Sequence, residues 1–550
     1  MRMPWGIALL VCLHAVSASA RVTPLHADGR QGRSVAGLPV SAGRGAGAEG
    51  GLPLLQRDLA GIIRGCLALY EGRQDASYLG LALEFAEVRT HPIFGLVWGR
   101  RRGNAGSETR LVREAERLRL EVGEARPPGD AGRRFLLMAQ EYIRANDPQP
   151  ALSRRAGLGL PTPCGLERLQ EHLQPSQLLL KYVLLEEQVL VFFIGADIAG
   201  YEFLPASRPQ AASMVQRLAE PLEDFADGRV DYLRIHFDLD LAKRLYDLLL
   251  RRAVERCPQA DEIVIIPDGE LYLLPFEALV MGFREGFQLD DALFSEYSAA
   301  AYVIQDFKVS YCFSLADFLR RFQGPGEYPL QLAAFGYPLP AAADPAAASP
   351  ARGAGLLADI PSTRREVLRL DKLFSGSRRR VFLGPDFNRE NFRRYAPQAR
   401  ILHLATHFRG DAREPLHSAF FFSAEKGRPS YCDAREVLGL TLPAELVVLS
   451  ACETSEKGLL GFRLVSGMTA AFRRAGSRSL VASLWPVDEF SSEVVPLLCR
   501  EYLKSGDDAG ALRRAKLALL DRTIALDNGA RLALAHPFLW ANYVLYRFCR

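Results

Sequence analysis

The chain has 550 residues, a length that exceeds a single hydrophobic core and predicts two to four structural units. Apolar residues make up 49% of the chain and charged residues 24%, which is the composition of a globular protein and excludes fibrous and disordered classes. The formal net charge of +4 is nearly balanced, so we expect no nucleic-acid partner. The cysteines are scattered singly, without a C-x-x-C pair, which disfavours both a structural zinc site and a disulfide framework.

The first twenty residues have the features of an export signal. Arg2 precedes a short apolar run, and Ala18-Ser19-Ala20 matches an A-x-A cleavage site. This pattern predicts a signal peptide over 1–20 and a periplasmic or secreted protein. The alternative is a cytoplasmic protein with a misplaced start codon, because the cysteine pattern is typical of a reduced compartment. No later segment is apolar enough for us to expect stable membrane insertion.

The rest of the chain divides by composition. Residues 21–53 are rich in Gly, Ala, Arg and Ser without a hydrophobic period, which predicts a disordered linker. Residues 54–160 have helical periods and predict an α-helical region, in which degenerate tetratricopeptide-like helices are one alternative. Strands alternate with helices in 165–338 and 356–550, the pattern of a mostly parallel α/β sheet. The Pro-, Ala- and Gly-rich residues 339–355 predict a linker between these two halves.

Apolar runs predict individual strands in both halves. Two runs on either side of Glu186-Glu187 predict a hairpin, and Glu262–Ile266 predicts a buried strand. In the second half, the runs Arg400–Leu404, Glu445–Ser450 and Ser479–Leu484 predict three more strands.

Two of the predicted strands are each followed by a reactive side chain. His407 comes just after Arg400–Leu404, and Cys452 comes just after Glu445–Ser450. If the two strands are neighbours in a parallel sheet, both side chains emerge at its carboxyl edge, where open α/β sheets bind ligands. An imidazole at that place can take the proton of a thiol or stabilise its thiolate. The arrangement therefore predicts Cys452 as a nucleophile and His407 as its general base.

Five motifs, in order, resemble those of the CHAT domain family, the caspase-like peptidase domains related to separase and the caspases. The resemblance runs from about Leu166 to the C-terminus, and its motifs are Ile401–His407, Leu446–Thr454, Ala471–Gly476, Val481–Asp488 and His536–Ala541. It implies a caspase-like three-layer α/β sandwich preceded by a small α-helical region. The half over 165–338 would be degenerate, and the half over 356–550 would be catalytic.

The resemblance also implies a chemistry. The protein would be a cysteine endopeptidase that cleaves a protein partner after a protein activator opens its cleft, without a cofactor or metal. The backbone N–H groups of Phe408 and Cys452 would form the oxyanion hole. The family usually has Gly after the catalytic His and another soon after Glu-Thr, whereas this chain has Phe408 and delays the glycine to Gly458. The alternative is a catalytically inactive caspase-like scaffold that binds a partner.

Two further residues are candidates for substrate binding. Asp488 could pair with a basic side chain of the residue before the cleaved bond, or it could cap the helix that begins near Ser491. Trp485 could line the same pocket or fill the core.

We expect the remaining polar residues near the motifs to have structural roles. We expect His403 to be a core histidine, because it lies within its strand, and His417 to be structural or at the surface. Thr406 and Ser450 are expected to support the backbone through their hydroxyls. A metal site built from His403, His407 and Cys452 is a weaker third hypothesis. The remaining cysteines are expected to be inert core residues.

Overall fold

The fold described below is that of a computed structural model. It describes residues 51–90, 105–124, 128–145, 165–223, 235–336, 360–374, 376–411, 415–425, 428–453, 460–485, 487, 490–526 and 529–549. The predicted signal peptide, nearly all of the predicted linker 21–53, the linker 339–355 and Asp488 lie outside these residues. The described residues all belong to one compact unit, Gly47–Arg550.

The described strands all lie in the two predicted α/β halves. They are β1 Gln177–Leu184, β2 Val189–Ile194, β3 Ala199–Leu204, β4 Glu262–Ile266, β5 Val280–Phe283, β6 Ala300–Tyr302, β7 Lys308–Tyr311, β8 Leu330–Gly336, β9 Arg379–Leu383, β10 Ala399–Arg409, β11 Ala419–Glu425, β12 Arg428–Asp433, β13 Leu446–Glu453, β14 Ser479–Ser483, β15 Thr523–Ala525, β16 Arg531–Ala533 and β17 Tyr543–Arg547.

The described α-helices begin with four in the region predicted to be helical. They are α1 Gly51–Arg73, α2 Ala76–Thr90, α3 Ala105–Gly123, α4 Gly129–Ala145, α5 Leu166–His172, α6 Arg208–Glu223, α7 Leu239–Leu249, α8 Arg251–Arg256, α9 Val303–Asp306, α10 Leu315–Leu319, α11 Pro361–Asp371, α12 Arg389–Tyr395, α13 Ala434–Leu438, α14 Leu460–Ala475, α15 Val494–Ser505, α16 Asp508–Leu520 and α17 Pro537–Trp540. None of the described helices is both long and apolar enough to cross a bilayer.

One mixed sheet runs through both halves. Its order in the described residues is β12-β11-β10-β13-β14-β17-β7-β4-β1-β2-β3, and β8 pairs with β10 and with β9 beside this path. Strand β17 joins the halves, because it pairs antiparallel with β14 and parallel with β7 through Tyr546 and Tyr311. The predicted hairpin is confirmed, since β1 and β2 pair antiparallel.

Helices cover both faces of this sheet. Lys181 and Tyr182 are neighbours on β1, so their side chains point to opposite faces. The ammonium of Lys181 lies 2.8 Å from a carboxylate oxygen of Glu87 on α2, while the hydroxyl of Tyr182 donates to the carbonyl of Leu249 on the other face. The chain is therefore an α/β protein with helical layers around a central sheet and an N-terminal helical region, as predicted.

The N-terminal helices share a core with the first strands. Their buried apolar side chains form one cluster with side chains from one face of β1, such as Leu179 and Val183. The opposite face of β1, including Leu178 and Leu180, belongs to the cluster that continues through the second half. A strand that is buried on both faces reads as a continuous apolar run, which is why β1 was visible in the sequence.

Candidate functional site

Strands β10 and β13 carry the two residues predicted to react. Both strands are longer than the sequence indicates, so His407 and Cys452 lie inside the strands near their carboxyl ends and not just after them. The reason is tertiary pairing. The end of β10 pairs antiparallel with β11 through Phe408 and Phe420, and β11 lies in a segment for which we predicted no strand. This pairing extends β10 beyond its apolar run.

The register of β10 and β13 makes His407 and Cys452 direct partners in a parallel ladder. Backbones of adjacent strands lie about 4.8 Å apart, so these two positions are next to each other at the carboxyl edge of the sheet. The side chain of His407 is buried, with 7% of its surface exposed. The side chain of Cys452 lies outside the described part of the structure.

Phe408 lies in the ladder rather than in an open turn. It is the register partner of Glu453 on β13 and of Phe420 on β11, and its side chain is buried. Strand β10 therefore continues past His407 and ends at Arg409. The oxyanion role of the Phe408 and Cys452 N–H groups stays a prediction.

His403 is a core histidine, as expected, but it has a partner that the sequence analysis missed. Its Nε2 lies 2.6 Å from Oε1 of Glu366 on α11, and neither side chain is exposed by more than 1%. Glu366 could have been found, because Thr363, Glu366, Val367 and Leu370 occupy one stripe at the spacing of a buried helix face. A carboxylate in such a stripe indicates a buried partner.

The hydroxyls of Thr406 and Ser450 differ in what they bind. Thr406 donates to the backbone carbonyl of Phe421 at 2.6 Å, which confirms its expected role. Ser450 corrects the expectation, because its hydroxyl bonds side chains instead: Oε2 of Glu366 at 3.1 Å and the hydroxyl of Tyr543 at 2.8 Å. These partners come from α11 and β17, whose contact with β13 no local pattern reveals.

Trp485 follows β14 at the same edge of the sheet and is buried. Its indole N–H donates to the carbonyl of Phe538 at 3.0 Å. Its ring stacks on the ring of Phe538, with the two ring centroids 6.4 Å apart. Both contacts are made with Phe538 of α17. Substrate binding by Trp485 and Asp488 stays a prediction.

The described cysteines outside the motif are buried thiols, as expected: Cys66, Cys257, Cys312, Cys432, Cys499 and Cys549. Burial raises the pKa of Cys66 and of Cys499 to about 12, so both remain protonated and unreactive at neutral pH. His417 is half-exposed, with Nδ1 3.8 Å from Oδ2 of Asp411. No group of three metal-ligating side chains occurs within the part of the chain that the structure describes.

A family model for the CHAT domain matches residues 239–547, more than half of the chain and all of β10 and β13. The chain belongs to the CHAT domain family. The match confirms the resemblance to this family that was drawn from the motifs. It begins within the first α/β half, at the start of α7, and ends with β17.

The chain is similar to a chain in the crystal structure of the Saccharomyces cerevisiae separase–securin complex, with a TM-score of 0.42 and 9% sequence identity. The similarity covers 91% of this chain and 40% of that chain, so this chain spans well under half the length of that relative. No curated protein matches the chain.

Proposed function

We propose that this CHAT domain is a cysteine endopeptidase in which Cys452 is the nucleophile and His407 is the general base. The observation that carries the proposal is the register that makes the two positions direct partners on β10 and β13. The pairing lies at the carboxyl edge of the sheet, where α/β folds hold their ligands. The six described core cysteines have buried thiols that are unsuited to react, so none of them is a competing candidate nucleophile.

The reaction needs only this pair and backbone donors. His407 takes the Cys452 proton, and the thiolate attacks the carbonyl carbon of a peptide bond. The N–H groups of Phe408 and Cys452 stabilise the oxyanion of the tetrahedral intermediate. The C–N bond then breaks, and the His407 imidazolium gives its proton to the leaving amine. Water, deprotonated by His407, hydrolyses the thioester, releases the carboxylic acid and restores the thiol.

The substrate would be a protein, and Asp488 with Trp485 would favour a basic residue before the cleaved bond. A carboxylate pairs with an Arg or Lys side chain through charge-assisted hydrogen bonds. A partner that acts on the N-terminal helical region would open the cleft. A catalytically inactive scaffold is the second candidate, and Phe408, where the family usually has Gly, is the observation that favours it.

The test is alkylation of native protein with iodoacetamide, followed by mass spectrometry of each cysteine. We expect Cys452 to react faster than the six described core cysteines and His407→Ala to slow its reaction at least tenfold, because the imidazole no longer promotes the thiolate. His417→Ala is the matched control, since His417 lies in the loop that follows β10 and is half-exposed. Equal rates in wild type and His407→Ala would favour the scaffold.

Specificity is tested separately with a peptide library. Wild type should cleave after Arg or Lys, and Asp488→Ala should lose that preference while it keeps the alkylation rate of Cys452. If wild type cleaves peptides without a basic preference, the Asp488 proposal is wrong and the dyad proposal stands.

A further inference from the structure

A buried polar network lies directly beneath the paired positions His407 and Cys452. Residues two apart on a strand share a face, so the Ala405–Ser450 pair is the next pair down on the same face of the ladder. The Ser450 hydroxyl on that pair donates to Oε2 of Glu366 at 3.1 Å. Oε1 of the same carboxylate lies 2.6 Å from Nε2 of His403, one further pair down on β10. One carboxylate thus contacts both strands.

The available protons determine which group donates in each hydrogen bond of this network. Ser450 has a single hydroxyl proton, and it is used toward Glu366, so the Tyr543 hydroxyl at 2.8 Å donates to Ser450. His403 bonds a carboxylate only through a protonated Nε2, while its Nδ1 has no hydrogen-bond partner among the described residues. Each bond points toward Glu366, which makes the carboxylate the acceptor at the centre.

Such a centre is costly to build for stability alone. Glu366 is 1% exposed and His403 is fully buried, and taking a carboxylate out of water has a desolvation cost that hydrophobic side chains of the same size do not have. The network nevertheless ties α11 to β10, to β13 and, through Tyr543, to β17 on the far side of β14. Its hydrogen bonds reach β13 at Ser450, two residues before Cys452, and β10 at His403, four residues before His407.

We propose that Glu366 is a positioning residue for the His407–Cys452 pair, an inference that rests on the proposed function. Its hydrogen bonds fix the position of Ser450 on β13 relative to that of His403 on β10. The carboxyl ends of β10 and β13 therefore keep the register that sets the distance between imidazole and thiol. Because near-attack geometry is sensitive to displacements of about 1 Å, loosening this tie lowers reactivity without removing either reacting group.

The test compares two buried carboxylates in the full-length protein. Glu366→Gln keeps the side-chain shape, but its amide nitrogen replaces one of the two oxygens that accept from His403 and Ser450. Glu277→Gln is the matched control, because Glu277 is 2% exposed and bonds Lys516 of α16 at 2.7 Å and Tyr311 of β7 at 2.6 Å. In the sheet, β14 and β17 separate β7 from β13. For each variant we would measure thermal unfolding, Cys452 alkylation against pH, and hydrogen exchange of peptides that cover 399–409 and 446–453.

We expect Glu366→Gln to slow Cys452 alkylation about tenfold or more, to shift its pH profile and to speed exchange at the two strand ends. Glu277→Gln should lower the unfolding temperature and leave both readouts at wild-type values. If Glu366→Gln slows alkylation no more than Glu277→Gln does and leaves exchange unchanged, the inference is wrong. If wild-type Cys452 is itself indifferent to His407→Ala, the proposed function fails, and faster exchange in Glu366→Gln still supports the positioning role.

Discussion

Replacing Lys181 with methionine should strongly destabilise the contact between the N-terminal helices and the sheet. Lys181 is fully buried on β1, and its ammonium lies 2.8 Å from Oε2 of Glu87 and 2.9 Å from the hydroxyl of Thr90, both on α2. The other oxygen of Glu87 accepts the backbone N–H of Leu315 at 2.9 Å. The pair therefore connects α2 to β1 and to the start of α10.

The magnitude follows from what Lys181→Met leaves behind. Methionine fills most of the same volume, so little packing is lost, but the Glu87 carboxylate stays buried with one backbone donor and without its paired ammonium. Breaking one side of a buried ion pair costs about 3–5 kcal/mol of unfolding free energy. Adding Glu87→Gln removes the stranded charge and keeps an acceptor for the Leu315 N–H, so the double variant should recover about 2 kcal/mol or more.

The assay is urea unfolding of wild type, both single variants and the double variant, followed by tryptophan fluorescence and far-UV circular dichroism. Lys243→Met is the matched control, because Lys243 pairs with Asp247 at 2.6 Å on the surface of α7 with 27% of its side chain exposed. An exposed pair of this kind contributes only about 0.3–0.5 kcal/mol. A Lys181→Met cost below about 1 kcal/mol, or strictly additive single variants, would refute the reasoning.

Two further predictions concern stability. Burial, reinforced by the nearby His236, lowers the pKa of His536 well below its usual value, and Nδ1 of His536 accepts the Phe538 N–H. The folded state keeps this imidazole neutral, whereas the unfolded chain takes up a proton below about pH 6.5. The free energy of unfolding therefore falls as the pH drops below that value. In thermal melts from pH 7.5 to 5, His536→Asn should lose less of its unfolding temperature than wild type. Gly476→Ala should lower the free energy of unfolding by about 1 kcal/mol, because φ is +103° there. Gly72→Ala, within α1, should raise it by up to about 1 kcal/mol. If urea unfolding gives both substitutions the same sign, the backbone argument is wrong.

The sequence by itself determined the strands whose apolar runs are buried and the motifs at their ends. The runs that became β1, β2, β4 and β13 are continuous because both faces of those strands are covered, and that signal needs no partner to be read. The helices α3 and α4 were visible for a similar reason, since their apolar periods reflect one buried face. The family motifs identified His407 and Cys452 as the candidate dyad and gave their order along the chain.

Tertiary structure decided the rest, because the deciding partners are distant in sequence. The length of β10 depends on pairing with β11 and β13, so its last residues are strand although they follow the apolar run. The register of His407 with Cys452 depends on the same ladder. The role of Glu366 depends on His403 and Ser450, to which only the packing of α11 on the sheet brings it. A local pattern records burial, but it does not record which side chain lies on the other side of the contact.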